Sequence, residues 1–92
     1  MDRDIVFKVI DDEREYQDDT SSSLDRPDMK RNMTTGDILC AIEFNLDAAK
    51  KEWYRDSYPH KQTIEYLRKI AALCVKAGED FGMPERKPWS ES

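Results

Sequence analysis

The chain has 92 residues, of which 38% are hydrophobic, and its formal net charge is −5. This length allows one domain with a thin core, because chains of this size bury only a modest share of their surface. The negative charge argues against general nucleic-acid binding, which depends on neutralising phosphates with Lys and Arg. The chain shows no apolar run near the roughly 20 residues that span a bilayer and no signal-peptide pattern, so we expect a soluble, cytoplasmic protein without a membrane partner.

The first predicted element is a short amphipathic helix over residues 4–17. Its apolar residues, among them Ile5, Val9 and Tyr16, recur along one side at helical spacing. Residues 18–33 follow as a long predicted loop. This segment holds three serines, a proline and seven charges, and it shows neither a helical nor a strand period.

Two longer helices are predicted over residues 35–56 and 60–81. Thr34 and Asp37 have the spacing of a capping box at the start of the first of these helices, and Gly82 ends the second. The connection between them is short, which favours an antiparallel two-helix hairpin. Residues 82–92 are predicted to be an extended tail. The predicted fold class is therefore all-α within a single helical domain.

Both long helices carry more apolar surface than one hairpin can bury. One apolar stripe of the first long helix holds Ile38, Ile42, Leu46, Ala49 and Trp53, and Cys40, Phe44 and Ala48 lie on nearly the opposite side. We therefore expect the hairpins to assemble into an oligomeric helical bundle, as a homo-oligomer. Cys40 and Cys74 are predicted to be small buried residues without a disulfide. Gly78 is predicted to mark the close approach of another helix.

Catalytic chemistry has little support in the sequence. His60, the single histidine, lies at a helix start without a serine or cysteine beside it in a recognisable motif. Carboxylate pairs such as Glu43 with Asp47, or Asp12 with Glu15, are expected by chance in a chain with 20 acidic residues. The sequence therefore gives no reason to assign a catalytic residue, a metal ligand or a cofactor.

Binding of an anionic ligand has better support. Arginine forks suit phosphate groups and aromatic rings stack on nucleobases, so basic and aromatic residues near helix ends are typical of a nucleotide site. The candidate ligand-binding residues are Arg14, Tyr16, Tyr54, Tyr58, Arg68, Lys69 and Arg86. We expect them to hold a small nucleotide-like ligand between subunits.

Residues 13–18 (EREYQD), the two-helix core, and residues 68–86, with RKIAALCV and EDFGMPER, together resemble small phage and prophage proteins. Those proteins are similar to the MazG-like all-α nucleotide pyrophosphohydrolases. The resemblance implies a helical core of paired subunits, in which ExxE and ExxD carboxylates hold magnesium in the enzymes. Here Glu43 and Asp47 have a different spacing, and Arg68 and Lys69 stand where carboxylates are expected. This departure implies that catalysis has been lost.

The predicted function is non-enzymatic binding or sequestration of a nucleotide-type anion at a subunit interface. By analogy with proteins that sequester nucleotide immune signals, we further expect a phage protein that acts in the host cytoplasm. Its role there would be to counter a host defence that signals through nucleotides. One alternative is a magnesium-dependent pyrophosphohydrolase, whose ligands would come from Asp12, Glu15, Glu43, Asp47 or Asp80. Another is an acidic adaptor that mimics nucleic acid, since residues 1–28 hold 10 acidic and 4 basic side chains.

Overall fold

The structure, a computed structural model, describes residues 1–21, 33–55 and 57–87. These residues form three α-helices and no strand: α1 (Arg3–Ser21), α2 (Thr35–Arg55) and α3 (Lys61–Phe81). The predicted all-α fold class is therefore confirmed. Among the described helices, none has the length and apolar character needed to cross a membrane.

The start of α2 and the end of α3 follow local signals in the sequence. The Thr34 hydroxyl accepts the backbone N–H of Asp37 at 3.1 Å, and the Asp37 carboxylate accepts the N–H of Thr34 at 3.0 Å. This reciprocal capping box satisfies donors that have no partner inside the helix. At the other end Gly82 has a φ of 82°, and its N–H donates to the Gly78 carbonyl at 2.9 Å. Glycine adopts this backbone conformation readily, so the helix ends there.

Helix α1 is longer than predicted. It continues to Ser21, so the predicted loop is wrong for residues 18–21. Polar side chains hold this last part in place: Arg14 donates to Asp18 one turn later at 2.6 Å, and Gln17 Nε2 donates to the Lys69 carbonyl of α3 at 3.2 Å. The rest of that loop, residues 22–32, and the last part of the predicted tail, residues 88–92, lie outside the described residues.

Helix α3 is the central element, because it contacts both α1 and α2, whereas the described parts of α1 and α2 do not contact each other. The apolar core is small and lies between α2 and α3. Its buried residues are Met33, Ile38 and Leu73, with Ala41, Ile42 and Ala77 packed against them. Met33 falls in the predicted loop, yet it is buried and fixes the start of α2 to the core.

Several residues that were predicted to be buried are exposed in this chain. Cys40 and Cys74 are both free and exposed, so the prediction that they are packed inside is wrong. Within the predicted inner stripe of α2, Ile38 and Ala49 are buried, but Leu46 and Trp53 are exposed. A helix with one neighbour buries only one narrow side, and the stripe is wider than that side.

Gly78 does lie against a close neighbour, but the neighbour is not another helix. A β-carbon placed on Gly78 would lie 3.2 Å from the Met83 methyl group. Met83 follows the end of α3 and folds back over the glycine. The predicted helix contact at Gly78 is therefore replaced by a contact within the same chain.

Candidate ligand-binding site

The contact between α1 and α3 is a polar seam, formed by Glu13, Arg14 and Gln17 of α1 with Arg68, Lys69 and Glu79 of α3. Arg68 Nε donates to the Glu13 carboxylate at 2.6 Å, and Arg14 Nε donates to the Glu79 carboxylate at 3.0 Å. Glu13, Arg14 and Gln17 are buried. The spacing of Glu13, Arg14 and Gln17 along one side of α1 is therefore used for packing against α3.

Three of the predicted ligand-binding residues, Arg14, Arg68 and Lys69, lie in this seam. Arg14 and Arg68 each donate to carboxylates of the other helix, which occupies the guanidinium groups that were expected to bind phosphate. Lys69 lies beside them, with its ammonium group 5.0 Å from the centre of the Tyr66 ring. Sequence spacing alone cannot distinguish a seam arginine from a ligand arginine, because both lie at the edge of an apolar side.

The other four predicted ligand-binding residues are exposed and lie in three different parts of the fold. Tyr54 and Tyr58 lie on either side of the α2–α3 connection and are 80% and 88% exposed. Tyr16 is exposed on α1, and Arg86 is exposed beyond the end of α3. The structure therefore brings Tyr54 and Tyr58 to one end of the molecule, and Arg14, Arg68 and Lys69 to the seam.

Four rings meet at the α2–α3 connection and form what we call the ring cluster: Trp53, Tyr54, Tyr58 and His60. The centroid of Trp53 lies 5.1 Å from that of Tyr54 and 6.4 Å from that of His60. Tyr58 completes the series, 6.3 Å from His60. Such spacings are typical of aromatic pairs that pack edge to face or with an offset.

His60 occupies a special position in the ring cluster. It is the N-cap residue of α3 and adopts left-handed backbone angles, with φ 60° and ψ 46°. Its Nδ1 atom is buried and has no hydrogen-bond partner among the described residues. The sequence predicted that His60 lies at a helix end, but it did not predict the ring contact with Trp53. That contact joins the end of α2 to the start of α3, which no local pattern shows.

Four cations lie within three residues of a ring-cluster residue along the chain: Lys50, Lys51, Arg55 and Lys61. All four are exposed, and within the described part of the chain none of them forms an ion pair. The first turn of α3 contains no acidic residue. Residues 50–61 hold four basic and two acidic side chains, so this stretch of sequence is locally basic, although the chain as a whole carries a net charge of −5.

No family model, curated protein or solved structure matches the chain. The described residues also contain no group of three or more His, Cys, Asp or Glu side chains placed to hold a metal ion. The chemistry of the ring cluster itself is therefore the basis on which a function is argued. Exposed rings and unpaired cations suit a ligand with a flat ring and an anionic group.

Proposed function

We propose that this protein binds a nucleotide-type anion at the ring cluster without changing it chemically. The observation that carries the proposal is the meeting of four rings in a stretch of sequence that also holds four cations without a described carboxylate partner. A base stacked on an exposed aromatic side chain gains about 1–3 kcal/mol. Lysine and arginine beside the rings attract the phosphate groups of the same ligand.

We further propose that the binding unit is a homo-oligomer of antiparallel α2–α3 hairpins. Ile38, near the start of α2, packs against Leu73 in the second half of α3, which supports an antiparallel pair. Large hydrophobic side chains are exposed on all three helices, among them Phe7, Phe44 and Ile64. A monomer rarely exposes so much apolar surface, so subunits that cover it for one another are the simplest solution.

Binding without turnover would withhold the ligand from other proteins. Together with the resemblance of residues 13–18 and 68–86 to phage proteins, this leads us to propose a sequestering role against nucleotide signals of a host defence system. Such a role needs affinity but no catalytic group, and it therefore agrees with a site made of rings and cations.

The test is calorimetric titration of the purified protein with a panel of nucleotides, followed by heat release and chromatography of the bound material. We expect a nucleotide to bind and to be recovered intact. Recovery of a cleaved nucleotide and pyrophosphate would support the pyrophosphohydrolase alternative instead. No heat of binding with any nucleotide would refute the proposal.

Variants of the ring cluster make the test specific. Tyr54→Ala and Tyr58→Ala remove exposed rings and should weaken binding about tenfold each, given the stacking energy of one ring. Phe7→Ala removes a ring that is 59% exposed on α1, away from the ring cluster, and is the control. Equal losses in all three variants would show that the ligand does not use the ring cluster.

A further inference from the structure

The third side of α3 is an apolar stripe that no other described helix covers, although Met83 lies over its last residue, Gly78. One side of α3 forms the seam with α1 through Arg68 and Glu79, and a second side packs on α2 through Leu73. The stripe on the remaining side consists of Ile64, Leu67, Ala71 and Val75, with Gly78 at its end. At 100° per residue, the arc between Leu67 and Val75 contains no charged residue.

A second stripe runs along α2 beside its buried side. Leu39, Leu46 and Trp53 recur every seven residues, and Ile42 and Ala49 lie between them with the 3–4 spacing of a heptad seam. Ile42 and Ala49 face the core with α3, whereas the other three are exposed. In an antiparallel hairpin, helical rotation places this α2 stripe and the α3 stripe on the same side, opposite α1. We call the two stripes together the open face.

The charges beside the open face are arranged in a self-complementary way. Glu43 and Lys50 are seven residues apart on the same edge of the α2 stripe, on either side of Leu46. Both are exposed, and neither forms an ion pair with another described residue. If two α2 helices cross antiparallel at Leu46, each Glu43 meets the Lys50 of the other copy.

An antiparallel crossing of two α2 helices at Leu46 has a two-fold axis through that point, and the same axis can relate two α3 helices. Leu46 lies twelve residues before Tyr58 and Ala71 lies thirteen after it, so in an antiparallel hairpin both residues lie at nearly the same level. An antiparallel pairing of two α3 helices at Ala71 places Leu67 of one copy against Val75 of the other. The small side chain at the crossing point allows the two backbones to approach closely.

We propose that a second copy of this chain covers the open face in an antiparallel, two-fold pairing centred on Leu46 and Ala71, with two Glu43–Lys50 ion pairs between the copies. This inference rests on the homo-oligomer part of the proposed function and adds its orientation and contacts. The six large side chains of the open face are each 40–61% exposed, which corresponds to roughly 600 Å² per copy, near the roughly 800 Å² that a stable interface buries.

The pairing also has a consequence for the ring cluster. With the axis at Ala71, the last turn of α3 in one copy lies at the level of Lys61 in the other. Arg86, which follows that turn, is thereby brought to the same end of the dimer as Tyr58 of the second copy. Arg86 and Tyr58 were both predicted to bind the ligand, and only the pairing places them together.

Sedimentation velocity at low salt tests the pairing through charge reversal. Glu43→Lys and Lys50→Glu each create two like-charge contacts and should weaken the dimer about tenfold. A one-to-one mixture of these two variants should form a heterodimer, because opposite charges then face each other again at both contacts. Glu15→Lys makes the same charge change on α1 and should leave the dimer intact.

The outcomes separate this proposal from ligand binding. A monomeric wild-type chain, or single variants that dimerise as tightly as the wild type, would overturn the pairing. A mixture that stays monomeric would also overturn it. Titration of the wild-type dimer with nucleotides measures the proposed function separately, since a dimer that binds no nucleotide would refute that function and leave the pairing in place. The charge-reversal variants are kept out of this titration, because Lys50 is also one of the cations beside the ring cluster.

Discussion

The ion pair between Glu13 and Arg68 predicts that the free energy of unfolding falls by different amounts when one or the other partner is replaced. The Glu13 side chain is 8% exposed, whereas Arg68 is 33% exposed, and the two meet at 2.6 Å. Arg68→Met keeps the length of the side chain but leaves the buried carboxylate without its cation. Removing one partner of a fully buried pair costs about 3–5 kcal/mol, and we expect about 3 kcal/mol here because one end of the pair reaches water.

Replacement of Glu13 should lower the free energy of unfolding much less than replacement of Arg68. In Glu13→Gln the amide oxygen still accepts a hydrogen bond, and the guanidinium of Arg68 can turn towards solvent, so the expected loss is about 1 kcal/mol. Urea unfolding followed by circular dichroism, at one fixed protein concentration, measures both losses. Equal losses, or a larger loss for Glu13→Gln, would refute the assignment of Glu13 as the buried member of the seam.

Four further variants test other parts of the fold by the same unfolding assay. Leu73→Ala removes a fully buried side chain and should cost about 3 kcal/mol, whereas Leu67→Ala on the open face should cost the fold less than about 1 kcal/mol and weaken the dimer instead; equal unfolding losses would contradict the placement of the core. Thr34→Ala should cost about 1 kcal/mol through loss of the capping box; a neutral result would show that the cap is not used. Gly82→Ala should cost about 1 kcal/mol, because alanine is strained at a φ of 82°; an unchanged midpoint would contradict that backbone conformation.

The helix ends were the most predictable part of the fold, because their causes are local. A hydroxyl three residues before a carboxylate, and a glycine at the end of an apolar pattern, each act within one turn of the backbone. The true end of α1 was less predictable. Its last turn is held by Gln17 on the Lys69 carbonyl, 52 positions further along the chain. No local pattern carries that information.

In the candidate site, too, the features with local causes could be predicted from the sequence, and those that depend on distant residues could not. Tyr54 and Tyr58 were chosen from the sequence because they lie near helix ends, and the structure places both at the α2–α3 connection. Trp53 was expected in the core because it continues the stripe of Ile38, but its ring is 54% exposed and contacts His60 at the start of α3. Arg68 borders an apolar side, as expected, yet its partner is Glu13 of another helix. Long-range pairing of charges was the part that periodicity could not predict.

The central claim, that the ring cluster is a ligand site, is tested most directly by two-dimensional NMR of the ¹⁵N-labelled chain titrated with a nucleoside triphosphate. Binding at the ring cluster predicts shifts in the backbone signals of residues 50–61 and in the indole signal of Trp53. Shifts confined to the seam around Arg14 and Arg68, or no shifts at saturating nucleotide, would contradict it.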